Sequence, residues 1–256
     1  DSLDRQVVIK ECFASGMCRR SQTIVSVRSR AHAAEFTSIV KLFVQEAKSL
    51  AKMKHPNIVG VHQIFEDNDT AYMALDFVNG RDLLDLIEDP NDRVPPADIV
   101  AMTMKLLNAI EYIHSTGVLH RDISPDNVLL EHGSNNPVLI DFGAAHEAQL
   151  RQPRMVTAMR VVKDGYSPQE FYIQGSAQTA SSDLYALGAT LYHLITGECP
   201  PDSQTRLAAV AAQKPDPFQG FGGDVSGYAP EYLDAIVKAM QIFPYDRLQS
   251  AREWIE

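Results

Sequence analysis

No stretch of this 256-residue chain strings together the roughly 18 apolar residues that a membrane-spanning helix requires. Its start, DSLDRQ, lacks the basic-then-apolar profile of a secretory leader. Cysteine is scarce, and Cys12, Cys18 and Cys199 are odd in number and without metal-ligand spacing, which points to a reducing, cytoplasmic compartment. An excess of basic charge is also missing. The net charge of −10 disfavours a general affinity for nucleic acid or anionic lipid, although a local basic patch can still bind phosphate. Internal repeats and low-complexity tracts are absent, and so is glycine from the nine residues that precede Lys10.

What is present fits a chain near the size at which single cores stop growing, so two lobes are expected. The first third reads as β-rich around one helix. QVVIKECF (6–13) is a β-branched strand candidate, and a polar stretch holding Arg19, Arg20, Arg28 and Arg30 follows to about residue 36, read as a solvated insertion. The next segment places Ile39, Phe43, Leu50 and Met53 on one helical face. HPNIVGVHQIFED and TAYMALDFV read as an antiparallel pair joined through EDNDT. Beyond residue 79 helices dominate: apolar residues recur at steps of three and four over 96–116, ending at Gly117, then again at Leu184, Leu187, Leu191 and Leu194, and at Leu233, Ile236, Val237 and Met240. VLLEHGSNNPVLIDFG reads as two short strands around a turn. The boundary falls at Asn79-Gly80, giving domains 1–78 and 79–256 of an α+β fold.

Four separated pieces then appear in order: VVIK ending at Lys10, Glu46 in the first helix, HRDISPDN at 120–127 and DFG at 141–143. Singly, each has a bland reading, namely an edge-strand lysine, a surface glutamate or a turn. Their shared order and their strand, helix and loop contexts resemble the protein kinase motif set. The resemblance continues through GYSPQE (165–170), SDLYALG (182–188) and DRLQSAREW (246–254), and the wording DFGAA and ISPDN is similar to bacterial Ser/Thr kinases. It implies a two-lobed fold, with a small β-rich lobe around one main helix and a larger, mainly helical lobe. The chemistry suits these residue types, because phosphoryl transfer needs cations to hold spread negative charge and a carboxylate to orient the attacking hydroxyl.

By that resemblance Lys10 would hold the α- and β-phosphates of ATP, Glu46 would fix its direction, and Asp122 would accept the substrate hydroxyl's proton. Asn127 and Asp141 would bind magnesium, with manganese an alternative, since hard cations prefer oxygen ligands. The adenine would lie between Val8 and Leu129, with backbone at Asp76 and Val78 bonding its edge, Leu75 as gatekeeper and Asp82 at the ribose. Leu50, Val61, Phe142 and His120 would stack, anchored by Asp183, and Glu170 would pair with Arg247. The implied partners are ATP and a protein substrate bearing Ser or Thr. No nucleic acid is implied.

Two departures from the family pattern matter. Ser124 stands where Ser/Thr kinases carry a lysine that touches the transferred phosphate, while Lys163 stands where they carry a threonine that bonds to it. The expectation is that Lys163 reaches over Ser124 and restores the positive charge beside Asp122. The other is the Gly-rich loop that normally covers the phosphates, which is not among the residues before Lys10. Truncation is the expected cause, and weak or slow transfer by the segment as written the expected result. Arg121, before Asp122, usually marks control by a phosphate on the loop at 143–165, where Thr157 is the only Ser or Thr, so autophosphorylation there is expected. Two rival readings share these residues: a pseudokinase or nucleotide-binding scaffold, motivated by Ser124 and the absent loop, and a small-molecule kinase of related fold.

Overall fold

The computed structural model of the chain describes residues 5–142, 162–173, 175–223 and 225–256. Thr157 and Gly143 lie outside them. The chain divides into two compact units between Val78 and Asn79, the second comprising Asn79–Phe142 and Val162–Glu256.

The first unit is built on a three-stranded antiparallel sheet of order β1-β5-β4, from β1 (Val7–Glu11), β4 (Val61–Asp67) and β5 (Thr70–Asp76). Its tight connection has a local cause: Asn68 and Asp69 both take positive φ, 51° and 59°, the conformation a two-residue hairpin turn demands and that Asn and Asp tolerate best. That turn sets the register, bringing Phe65 opposite Tyr72 with their rings stacked at 5.1 Å. One face of the helix α1 (Ala33–Leu50) buries Phe36, Ile39, Phe43, Ala47 and Leu50, at spacings of three and four, and the helix packs against β4 and β5. Met53 is buried as expected, but in the turn after the helix and not on its face. The polar stretch before α1 is not a structureless insertion. It holds a hairpin of β2 (Cys18–Ser21) and β3 (Ile24–Val27), seated by the buried side chains of Met17, Cys18 and Val25.

In the second unit a small sheet of order β6-β7-β8 joins β6 (Gly80–Asp82), β7 (Val128–Glu131) and β8 (Pro137–Leu139). Its helices are α2 (Leu83–Glu88), α3 (Pro96–Ser115), α4 (Ala180–Thr196), α5 (Ser203–Ala211), α6 (Pro230–Ala239) and α7 (Ala251–Ile255). Pro96 opens α3 where a missing N–H costs nothing, and Gly117, with φ of 78°, lies just past its end. A reciprocal capping box of Thr179 and Ser182 starts α4, and Gly197 at φ 76° stops it. Leu106, Ile110 and Ile113 of α3 and Leu184, Leu187 and Leu191 of α4 are fully buried, and each contributes about 1.5–3 kcal/mol by leaving water.

Two buried arginines lock this unit. Arg247 donates to both oxygens of Glu170 at 2.7 and 3.0 Å, as the sequence suggests, and to the carbonyls of Gln241 and Ile242. Arg206, which the sequence did not single out, grips Asp216 through two nitrogens and reaches Tyr185 and the Met240 carbonyl. Engaging every guanidinium nitrogen is what makes such burial tolerable.

Candidate active site

Within the second unit, the loop that precedes β7 is fixed from below by one carboxylate. Asp183, on the first turn of α4, accepts from the His120 N–H at 2.9 Å, the Arg121 N–H at 2.8 Å and His114 Nε2 at 2.8 Å. Arg121 is held at φ 67°, a conformation that costs a non-glycine residue about 1–3 kcal/mol and persists only where its surroundings impose it. The bond from its N–H to Asp183 is that imposition. It turns the chain so that the next side chain, Asp122, projects from the loop.

His120 joins this loop to the segment after β8. Its Nδ1 accepts from the Asp122 N–H at 3.3 Å, so Nε2 carries the proton and donates to the Ile140 carbonyl at 3.1 Å. Phe142 packs on the same imidazole at 4.4 Å between ring centroids. The Ile140 N–H in turn donates to the Asn127 carbonyl at 3.0 Å. Ile140 is therefore clamped through both its polar backbone groups, and Asp141, at φ 55°, follows directly from it. Three side chains picked from sequence, Asp122, Asn127 and Asp141, thus sit on two segments tied together through His120 and Asn127.

Asn127 is buried and donates Nδ2 to the Asp122 carbonyl at 2.7 Å and to Asp122 Oδ2 at 2.9 Å. Its amide oxygen, the atom a hard cation prefers, is not the one Asp122 uses. Lys163 reaches the other side of the same carboxylate. Its Nζ lies 2.8 Å from Ser124 Oγ, 3.4 Å from Asp122 Oδ1, and 2.8 and 3.1 Å from the two oxygens of Asp126. Ser124 is fully buried and donates its own proton to Asp126 Oδ1 at 2.7 Å. The ammonium therefore lies over the serine and beside Asp122. Burial pushes the Asp122 carboxyl above its ordinary value, with Lys163 and Asn127 opposing. For Asp126 burial acts in the same sense, but the bonds from Lys163 and Ser124 outweigh it and hold the carboxyl low.

The remaining candidates are distributed between the units. In the first, Val8 and Lys10 lie on β1 opposite Leu75 and Met73 of β5, and Glu46 lies on α1, close enough for its charge to act on the Cys12 thiol. The Asp76 side chain is engaged by His62 Nε2 at 2.6 Å and the Gly60 N–H at 3.1 Å, so any ligand contact there falls to its backbone. Val78 ends this unit. In the second unit Asp82 caps α2 by accepting from the Asp85 N–H at 2.8 Å, a structural duty the sequence reading did not give it, and Leu129 pairs with Asp82 across β6 and β7. Asp126 is the residue that sequence reasoning missed at this site. An acidic residue next to a proline in a turn carries no signal of its own, and only the position of Lys163, 37 residues on, exposes its role.

The protein kinase domain model matches residues 13–240. A probable serine/threonine-protein kinase of Corynebacterium efficiens is 28% identical over 96% of this chain and 38% of its own length. The serine/threonine-protein kinase PknB of Mycobacterium leprae is 30% identical over 88% of the chain and 36% of its own length. The chain thus spans little more than a third of these relatives. Among solved structures, the apo form of PpkA-294 aligns with a TM-score of 0.80 and 32% identity, covering 99% of this chain and 87% of that one. Among the described residues no helix is long and apolar enough to cross a membrane.

Proposed function

Because the chain belongs to the protein kinase family, its domain model covering nearly the whole sequence, we propose that it transfers the terminal phosphoryl group of ATP to a Ser or Thr hydroxyl of a protein. One observation carries the reading: a half-buried carboxylate, Asp122, is flanked at hydrogen-bond or ion-pair distance by an amide, Asn127, and an ammonium, Lys163. Asp122 orients the substrate hydroxyl and receives its proton, and burial, which favours the protonated form, makes it a better acceptor than a solvated aspartate. Lys163 places its charge where negative charge spreads over the transferred group. Lys10 holds the nucleotide phosphates and Glu46 aims it, while Val8, Leu75 and Leu129 with the backbone at Asp76 and Val78 take the base, and Asp82 offers its remaining oxygen to the ribose. In this reading the unit that ends at Val78 is the small lobe, and the unit of Asn79–Phe142 and Val162–Glu256 the large lobe, of one kinase domain.

The donor set suits magnesium. Asn127 and Asp141 offer oxygen, and among the described residues no group of three His, Cys, Asp or Glu side chains gathers to hold a metal by itself. Such sparse protein ligation fits a small, strongly hydrated cation that completes its shell with phosphate oxygens. Bound there, the cation would neutralise charge on the phosphates. A cytoplasmic reaction is part of this proposal, and Thr157 is the proposed site of self-modification.

The test is transfer of label from γ-labelled ATP to a generic basic protein by the longest soluble form of the protein that contains this chain. Asp122→Asn should reduce the rate by about a hundredfold or more with the fold intact by circular dichroism. Label transfer that persists at the wild-type rate in that variant would remove the assignment.

A further inference from the structure

Beyond the roles just assigned lies a question of mechanics: what holds the Lys163 ammonium in place? The lysine sits on a long flexible stem, and its charge can act on a transferred group only if the stem is ordered. Two carboxylates compete for it. Asp122 is the partner that would waste it, since a direct, tight ion pair between the two would cap the very oxygen proposed to take the substrate proton. In the structure that collapse has not happened. Nζ stays 3.4 Å from Asp122 Oδ1, beyond normal hydrogen-bond range, while it approaches Asp126 Oδ2 and Ser124 Oγ to 2.8 Å each.

Ser124 explains the direction of the pull. Its hydroxyl is fully buried and spends its proton on Asp126 Oδ1, so a lone pair is turned toward the ammonium. Ser124, Asp126 and Lys163 close a triangle in which every edge is a hydrogen bond. The ammonium donates there to Ser124 Oγ and to both Asp126 oxygens, and Asp122 Oδ1 is its more distant neighbour. The pair cannot be explained by stability alone: Asp126 is 43% exposed and Lys163 23%, and an ion pair so open to solvent contributes at most about 1 kcal/mol.

We propose that Asp126 is a positioning residue, which with Ser124 anchors Lys163 so that its ammonium stands beside Asp122 without neutralising it. This rests on the kinase reading for its effect on rate, but the anchor itself is a property of the fold and is testable without catalysis. It also gives Ser124 a reason: a lysine at 124 would fill the space from which the hydroxyl now directs Lys163.

The first experiment reads the anchor directly. Lys163 is labelled with limiting acetic anhydride and its modification is followed by mass spectrometry relative to other lysines of the same chain. Asp126→Asn should raise the labelling rate of Lys163 about threefold or more with Lys105 unchanged, and Asp126→Glu should restore it. An unchanged rate in Asp126→Asn overturns the proposal whatever the protein's activity. The second reads the consequence. Asp126→Asn should lower kcat for phosphotransfer about tenfold while KM for ATP moves less than twofold, as expected for a misplaced charge near the reacting group. In a Lys163→Met background the same substitution should change kcat less than twofold, because nothing is left to position. Equal losses in both backgrounds would assign Asp126 to the fold or to substrate contact. Absence of any Asp122-dependent transfer in the wild type would count against the kinase reading and leave the labelling result to decide the anchor.

Discussion

A carboxylate removed from solvent must be matched by donors, and Asp183, 1% exposed, is matched by His114 Nε2 and two backbone N–H groups. Burial alone would raise its proton affinity, but His114, His120 and the Arg121 N–H together outweigh burial and leave the carboxyl below its ordinary value. The sign of the linkage follows. A lowered folded value means the unfolded chain binds the proton more readily, so the ionised form stabilises the fold above the ordinary aspartate value near pH 4. That contribution disappears as pH falls through the lower folded value. Asp183→Asn turns an amide NH2 toward a buried backbone N–H in either orientation and should cost about 3–5 kcal/mol, measured by urea denaturation at pH 7. It should also flatten the fall in stability as pH drops below the ordinary aspartate value, relative to wild type. Parallel pH curves for the two proteins would show that Asp183 does not carry this acid sensitivity. At this scale the sequence was informative where residues come in an ordered set, as with Asp122, Asn127 and Asp141. It was silent where a role depends on a distant approach, as with Asp126 under Lys163, or Arg206 between Asp216 and Tyr185.

Elements explain a different group of successes and misses. The long segment α3 was legible because one buried face repeats along it, and α4 because its leucines recur at steps of three and four, although the helix is buried on every side from Ser181 to Leu191. The β2–β3 hairpin was not, since two four-residue strands offer too little alternation, and the exposed Arg19, Arg20 and Ser21 disguise a ladder whose buried side is carried by Cys18 and Val25. Gly80 was read as a hinge for its freedom of rotation. The structure gives it another reason: it begins β6 without positive φ, and a Cβ built on it would stand 2.1 Å from the Leu130 carbonyl oxygen of β7. Glycine is required there by the close approach of two backbones. Gly80→Ala should therefore push β6 from β7 and destabilise the protein by about 1–3 kcal/mol in chemical denaturation. The control is Gly133→Ala, where nothing stands within 4 Å but φ is 84°, so that its cost comes from backbone strain without a clash. A Gly80→Ala variant as stable as wild type would return the hinge explanation.

For the molecule as a whole, the charge of −10 means that the long-range field repels a polyanionic nucleotide, and binding must be won locally. In the proposed reading Lys163 would act against that field at short range in the second unit, and a divalent cation on the Asn127 and Asp141 oxygens would complement it. Linkage turns this into a measurable effect on the entire fold, because a ligand that binds only the native state stabilises it in proportion to the logarithm of its concentration. At a nucleotide concentration a hundredfold above its dissociation constant the gain is about 2.7 kcal/mol. For a chain of this size that corresponds to a rise of roughly 5–10 °C in Tm. The rise should appear with ATP and magnesium together and shrink to a degree or two with ATP and a chelator. Asp141→Asn should abolish the magnesium-dependent part while leaving the Tm of the unliganded protein within about 2 °C, since half-exposed Asp141 contributes little to the core. A magnesium-dependent rise of the same size in that variant would place the cation elsewhere, and equal stabilisation by ATP with and without magnesium would show that the protein's own cations suffice.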